Sequence, residues 1–275
     1  MTASGPDPGA PGGAPTAEDV RALARSSPWL WRTLRFTLRT PTTEPYGIDR
    51  LRAWVSRPHG LRAEQLDGRL ITAGWGPPAD QGMPEITGGP QLRPDGLVAR
   101  RPADWIGPFR FDDPMLTTYR WVAMVHPFEL ADGVERDEDG LPGGDWSPDR
   151  PPIVVIDGPR VVEHAGRLAW EAEVVTTAAY AARCSCCPVL DGSEATAQLI
   201  REGWERGDLG RPSSWRIRLD RQTGVLVQLT EIGGSSRSGG WTMTIEAVDE
   251  PMPRELFGPE PAGGTGPVGL LGADP

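Results

Sequence analysis

The chain has 275 residues and a formal net charge of −10, and since neither lysine nor asparagine occurs, all 28 basic residues are arginine. The absence of lysine excludes phosphate-loop lysine chemistry, Schiff bases and a kinase-type catalytic lysine, and the acidic balance argues against a nucleic-acid partner, because phosphate binding needs a basic surface. Glycine (35) and proline (30) crowd the two ends, so residues 1–16 and 258–275 are expected as tails that cannot offset their ordering entropy, around a single domain spanning 17–257.

Thr16 ahead of AEDVRALARSS supplies an N-cap and first-turn acids, which predicts a first helix. In the following WRTLRFTLRT, Leu34, Phe36 and Leu38 alternate with Arg35, Thr37 and Arg39, the period of a half-buried strand. Asp67-Gly68 then separates LRAEQL from RLITAGW, a hairpin signal. The same punctuation recurs at Asp157-Gly158, at Ala165-Gly166 and in a short loop ending at Gly224. Consecutive hairpins predict antiparallel sheet, since parallel pairing needs crossovers.

Two helices are expected to interrupt the strands. One follows the cap and N1 proline Asp113-Pro114, with Leu116, Tyr119, Val122 and Ala123 on its apolar face; the other follows Asp191 to Ser193, with Leu199, Ile200 and Trp204 on its own. Residues 129–150 hold eight acidic residues and two arginines among glycines and prolines, and read as a solvated loop. Asp137, Asp139 and Asp145 lie there without the ligand spacing or terminal glutamate of an EF-hand. Glu171 and Glu173 are expected on the solvent face of a strand.

The most unusual local run is Arg183-Cys184-Ser185-Cys186-Cys187-Pro188. Three thiols in four residues offer soft ligands for zinc, with His164 or His126 as a fourth, but structural zinc sites normally join two paired knuckles, which the sequence lacks. Reduced cysteines packed in a loop are the plainer reading. A redox role through Cys184 and Cys186 beside Arg183 is the other option. The glycine-rich GGSSRSGG of 233–240 lies between two strand-like runs, so it reads as a hairpin loop and not as a nucleophile elbow. No catalytic residue is assigned. Eleven tryptophans stand out, and Trp31, Trp54, Trp75, Trp170, Trp215 and Trp241, with Phe36, are candidates to line an apolar pocket, each also serving as ordinary core.

The C-terminal third, RIRLDRQTGVLVQLTEI followed by a glycine-rich turn and WTMTIEAVDEPMPRELF, resembles the LolA-like lipoprotein-carrier superfamily, which includes MucB/RseB-type sigma-factor regulators. The likeness rests on a strand ending in Leu219-Asp220, the Thr223-Gly224 turn, a return strand, and a closing segment from Met252 to Phe257. It implies a mainly antiparallel β fold with a few helices: a strongly curved, half-open barrel with helices over its concave face, whose cavity takes acyl chains or a partner segment. The cysteine cluster, the acidic loop and the lack of an export signal depart from that pattern. No apolar run is long enough for a transmembrane segment, so a cytoplasmic, non-enzymatic binding module for an apolar small molecule or protein segment is expected. The alternative is a thiol- or metal-dependent protein built on Cys184, Cys186 and Cys187.

Overall fold

Along β1 (Thr33–Arg39), Leu34, Phe36 and Leu38 are buried while Arg35, Thr37 and Arg39 face the other way. The alternation follows from side chains leaving a strand on opposite faces. Described in the computed structural model are residues 13–40, 49–76, 88–102, 114–116, 118–185, 187–203, 210–234 and 240–258. Asp113, Cys186, Trp204 and residues 235–239 of the glycine-rich loop lie outside them, as do 1–12 and 259–275.

Nine strands form one antiparallel sheet. Besides β1 these are β2 (Arg50–Ser56), β3 (Gly60–Gln65), β4 (Leu70–Trp75), β9 (Ile153–His164), β10 (Arg167–Thr176), β11 (Ser214–Asp220), β12 (Leu226–Ile232) and β13 (Trp241–Val248), in the order β4-β3-β2-β1-β13-β12-β11-β10-β9. The last strand thus sits at the centre and pairs with the first, Phe36 opposite Ile245 and Leu38 opposite Met243. Two small ribbons stand apart: β5 (Gln91–Leu92) with β6 (Val98–Arg100), and β7 (Gly133–Arg136) with β8 (Pro142–Ser147).

The register sorts the sheet into two faces. Ile217, Leu229 and Trp241 lie side by side on the apolar face, and Arg218, Gln228 and Thr242 on the opposite one. Pairing between β12 and β13 is confined to Gln228 with Thr242 and Leu229 with Trp241. His164, at the end of the outermost strand β9, places Nε2 2.8 Å from the carbonyl of Met243 in β13.

Helix α1 (Ala17–Leu30) starts where the sequence puts it, with a reciprocal capping box between Thr16 and Asp19. Its buried side, including Val20, Leu23 and Ala24, packs toward β6, β9 and β11. Helix α2 (Tyr119–Val125) lies against β12, and α3 (Ser193–Arg201) precedes β11.

Several expectations need correction. Asp157-Gly158 is not a turn: β9 runs through it as one twelve-residue strand. Gly158 has φ +85° and the pairing with β10 shifts register around Glu173, so the dipeptide makes a bulge, while Ala165-Gly166 makes the turn. Helix α2 begins after Thr118, later than the proline signal suggested. On α3, Leu199 is buried but Ile200 is 55% exposed. The segment 129–150 is no uniform solvated loop, since it holds the β7–β8 hairpin and the buried Glu129 and Asp132. Asp137, one of the acids weighed for calcium, accepts a hydrogen bond from the Leu141 amide across that hairpin's turn. Glu171 is only 4% exposed; Arg160 and Arg218 both reach its carboxylate, Arg218 at 2.7 Å. Burial pushes the Glu171 carboxyl up, but the two guanidiniums outweigh it and hold it below its ordinary value.

Candidate functional site

Four of the seven ring-bearing candidates, Trp31, Phe36, Trp215 and Trp241, belong to the apolar core, with Trp170 packed against it. Trp31 ends α1, gives its Nε1 hydrogen to Ser27 at 3.2 Å, and carries the Arg57 guanidinium 3.3 Å above its ring. Trp241 donates to the Leu226 carbonyl at 2.9 Å. Trp54 and Trp75 are elsewhere. Trp54 pairs with Arg35, not with the inward residues of β1, and Trp75 packs edge-on against Phe257 in the short 3-10 turn Arg254–Phe257, their ring centres 5.4 Å apart. The seven rings therefore do not line one space.

Trp121, absent from the apolar face expected of its helix, is the side chain that joins α2 to the sheet: its ring centre is 5.5 Å from that of Phe36. The short α2 turns Trp121 inward with Val122 and Val125. The Nε1 atoms of Trp121 and Trp215 are buried with no hydrogen-bond partner among the described residues. A buried donor left unmade costs about 1–3 kcal/mol.

A polar cluster lies in the connection between β10 and α3. Glu129, on the 3-10 turn Phe128–Leu130, accepts from the Tyr180 hydroxyl at 2.5 Å, the Arg183 amide at 2.8 Å and the Val189 amide at 3.0 Å. The Tyr180 oxygen in turn accepts from the Leu190 amide at 3.0 Å. Burial drives the Glu129 carboxyl above its usual range, against the pull of these donors and of the Arg183 charge. Burial and the neighbouring carboxylate hold the Tyr180 phenol well above its usual value. Beside them Phe128 is covered by the Arg101 guanidinium at 3.8 Å. Burial pushes Arg101 down to about 10 although Asp132 favours its charged form. No local pattern marks Glu129 and Tyr180, since their meeting joins positions 51 residues apart.

The cysteines fall in this same connection. Cys184 and Cys187 are both half-buried, and the Cys187 amide donates to the Cys184 carbonyl at 3.1 Å. The histidines weighed as a fourth zinc ligand are engaged otherwise: His164 with Met243 and, through Nδ1, with Arg218 at 3.4 Å, and His126 with Arg183, whose Nη2 is 3.3 Å from Nδ1. Among the described residues no three His, Cys, Asp or Glu side chains converge as a metal site. A separate polar cleft of about 630 Å³ opens at the start of α1 between Arg21, Arg93, Arg100 and Asp149. Its arginines are occupied by carboxylates, Arg93 by Asp19 and Asp95, and Arg100 by Asp149.

No family model matches the chain, and no curated protein does. Among solved structures it is similar to the crystal structure of MucB, with 13% sequence identity and a TM-score of 0.29, over 92% of this chain. The chain spans 63% of the length of that protein. At this score the likeness carries no argument about fold or function. Among the described residues, no helix is long and apolar enough to cross a membrane.

Proposed function

We propose that the protein is a non-enzymatic binding module whose sheet is strongly curved, a half-open barrel with α1 and α2 over its concave face, and that the space between helices and sheet takes an apolar ligand or a partner's apolar segment. The helix contacts support the covered face. Helix α1 touches both β9 and β11, while α2 lies on β12 with Trp121 against Phe36 of β1.

The observation that carries the binding reading is the pair of indole N–H groups, Trp121 and Trp215, turned into apolar surroundings without an acceptor among the described residues. Such groups suit a ligand that is apolar along its length and carries a carbonyl or carboxylate, as an acyl chain does. Native mass spectrometry of the freshly purified full chain, before and after adding a long-chain fatty acid, tests this. A one-to-one mass increment that Phe36→Ala weakens at least about tenfold, a loss of about 1.4 kcal/mol, is the expected result. Absence of both a fatty-acid adduct and a stoichiometric co-purified partner would remove the reading.

A further inference from the structure

The run Cys184-Ser185-Cys186-Cys187 contains a C-x-x-C spacing, from Cys184 to Cys187. The fold makes that spacing specific. The amide of Cys187 donates to the carbonyl of Cys184 at 3.1 Å. A bond of this kind between residues three apart brings their Cα atoms within about 7 Å, near the span of a disulfide.

The turn is held from both sides. One oxygen of the buried Glu129 carboxylate accepts from the amide of Arg183, just before Cys184, and the other from the amide of Val189, two residues after Cys187. A single side chain thus staples the base of the loop. Its flank is tied to α3: Ser185 donates to Glu202, and the Ala182 amide donates to Gln198 at 3.3 Å. Both cysteines remain partly accessible to solvent. Most of the entropy that loop closure costs is already spent in the dithiol state, and this favours ring formation between the two sulfurs.

We infer that Cys184 and Cys187 form a reversible dithiol–disulfide couple that exchanges with small-molecule disulfides, a site separate from the apolar interior. One thiolate attacks a sulfur of the disulfide RSSR, forming a mixed disulfide and releasing one thiol RSH. The second cysteine then attacks the protein-bound sulfur of that mixed disulfide and releases the other RSH. The two thiols lose two electrons to RSSR and their two protons end on the released thiols, so no further oxidant is needed. The pairing is Cys184 with Cys187 because the turn bond joins those two residues.

The test equilibrates the full-length Cys186→Ser chain with mixtures of reduced and oxidised glutathione, followed by acid quench, thiol counting and peptide mapping. The expected product is a monomer lacking two hydrogens, with a Cys184–Cys187 cross-linked peptide. Its formation constant should exceed that of the same chain in denaturing urea by about tenfold or more, because the turn is pre-formed. Constants within about twofold of each other would overturn the inference, as would glutathione adducts or cross-linked dimers as the end products. Peptide mapping of the oxidised wild-type chain gives an independent answer if the variant folds poorly: predominant Cys184–Cys186 linkage there refutes the assignment. Stoichiometric Zn²⁺ that protects both thiols from glutathione disulfide would refute it too, by making the pair a metal site.

Discussion

Glu129 is a carboxyl group taken almost wholly out of water, 1% exposed, and given a phenol and two amides as hydrogen-bond donors. Burial dominates, and its carboxyl titrates above the usual range. The folded state therefore holds this proton more tightly than the unfolded chain does. The resulting stabilisation is complete below the unfolded value near 4.5 and is lost as pH rises through the higher folded value. The difference in urea-unfolding free energy between wild type and Glu129→Gln should accordingly shift toward the wild type as pH falls from neutral through that window. Glu171 and Glu246, whose carboxyls the surrounding arginines hold down against burial, push stability the opposite way, but they are common to both proteins and cancel. A pH-independent difference would show that Glu129 titrates normally.

The hairpin between β11 and β12 shows what a turn needs when a helix sits on it. Asp220 accepts from the amides of Gln222 and Thr223 and from the Thr223 hydroxyl, and is itself gripped by Arg167 at 2.6 Å. Gly224 then takes φ +66° directly beneath α1, where an added Cβ would stand 2.4 Å from the Leu23 carbonyl oxygen. Both the left-handed backbone and the contact oppose any side chain. Gly224→Ala should cost about 2–4 kcal/mol in chemical denaturation, whereas Gly68→Ala, at φ +91° with open space around it, should cost only the backbone strain of about 1–2 kcal/mol. Equal losses at the two glycines would mean that α1 does not press on the hairpin.

At the scale of the whole molecule, the sheet ends in an unusually long outer strand. β9 is twelve residues long and, among the described residues, pairs within the sheet only with β10, and Val154, Ile156 and Val161 on it are about half exposed, as is Leu168 beside it. An apolar outer strand invites edge-to-edge pairing between copies, and a bulge is one device that resists it. Irregular pairing at Gly158 and Ile156 kinks the middle of β9 but leaves the Ile156 side chain about half exposed and Val154 on the regular stretch before it. Ile156→Arg is expected to reduce concentration-dependent association in light scattering while changing the unfolding free energy by no more than about 0.5 kcal/mol. Unchanged association, or a loss of stability well beyond that, would place Ile156 in a packed contact and not on a free edge.

The sequence by itself determined the elements whose cause is local. Strand β1 follows from strict alternation, α1 from the Thr16–Asp19 box, and the hairpins at Gly68, Gly166 and Gly224 from glycines that supply positive φ. These are interactions among neighbours, legible from spacing alone. Only the tertiary structure decided which residues of distant segments share an environment. It put the last strand next to the first, turned Trp54 and Trp75 to the face opposite Phe36, and buried Glu129 beside Tyr180 and the loop that carries Cys184 and Cys187. The physical reason is the same in each case. Burial of a ring or a carboxylate depends on partners tens of residues away, so an acidic run can read as solvent-facing until the fold supplies the donors that let Glu129 stay inside.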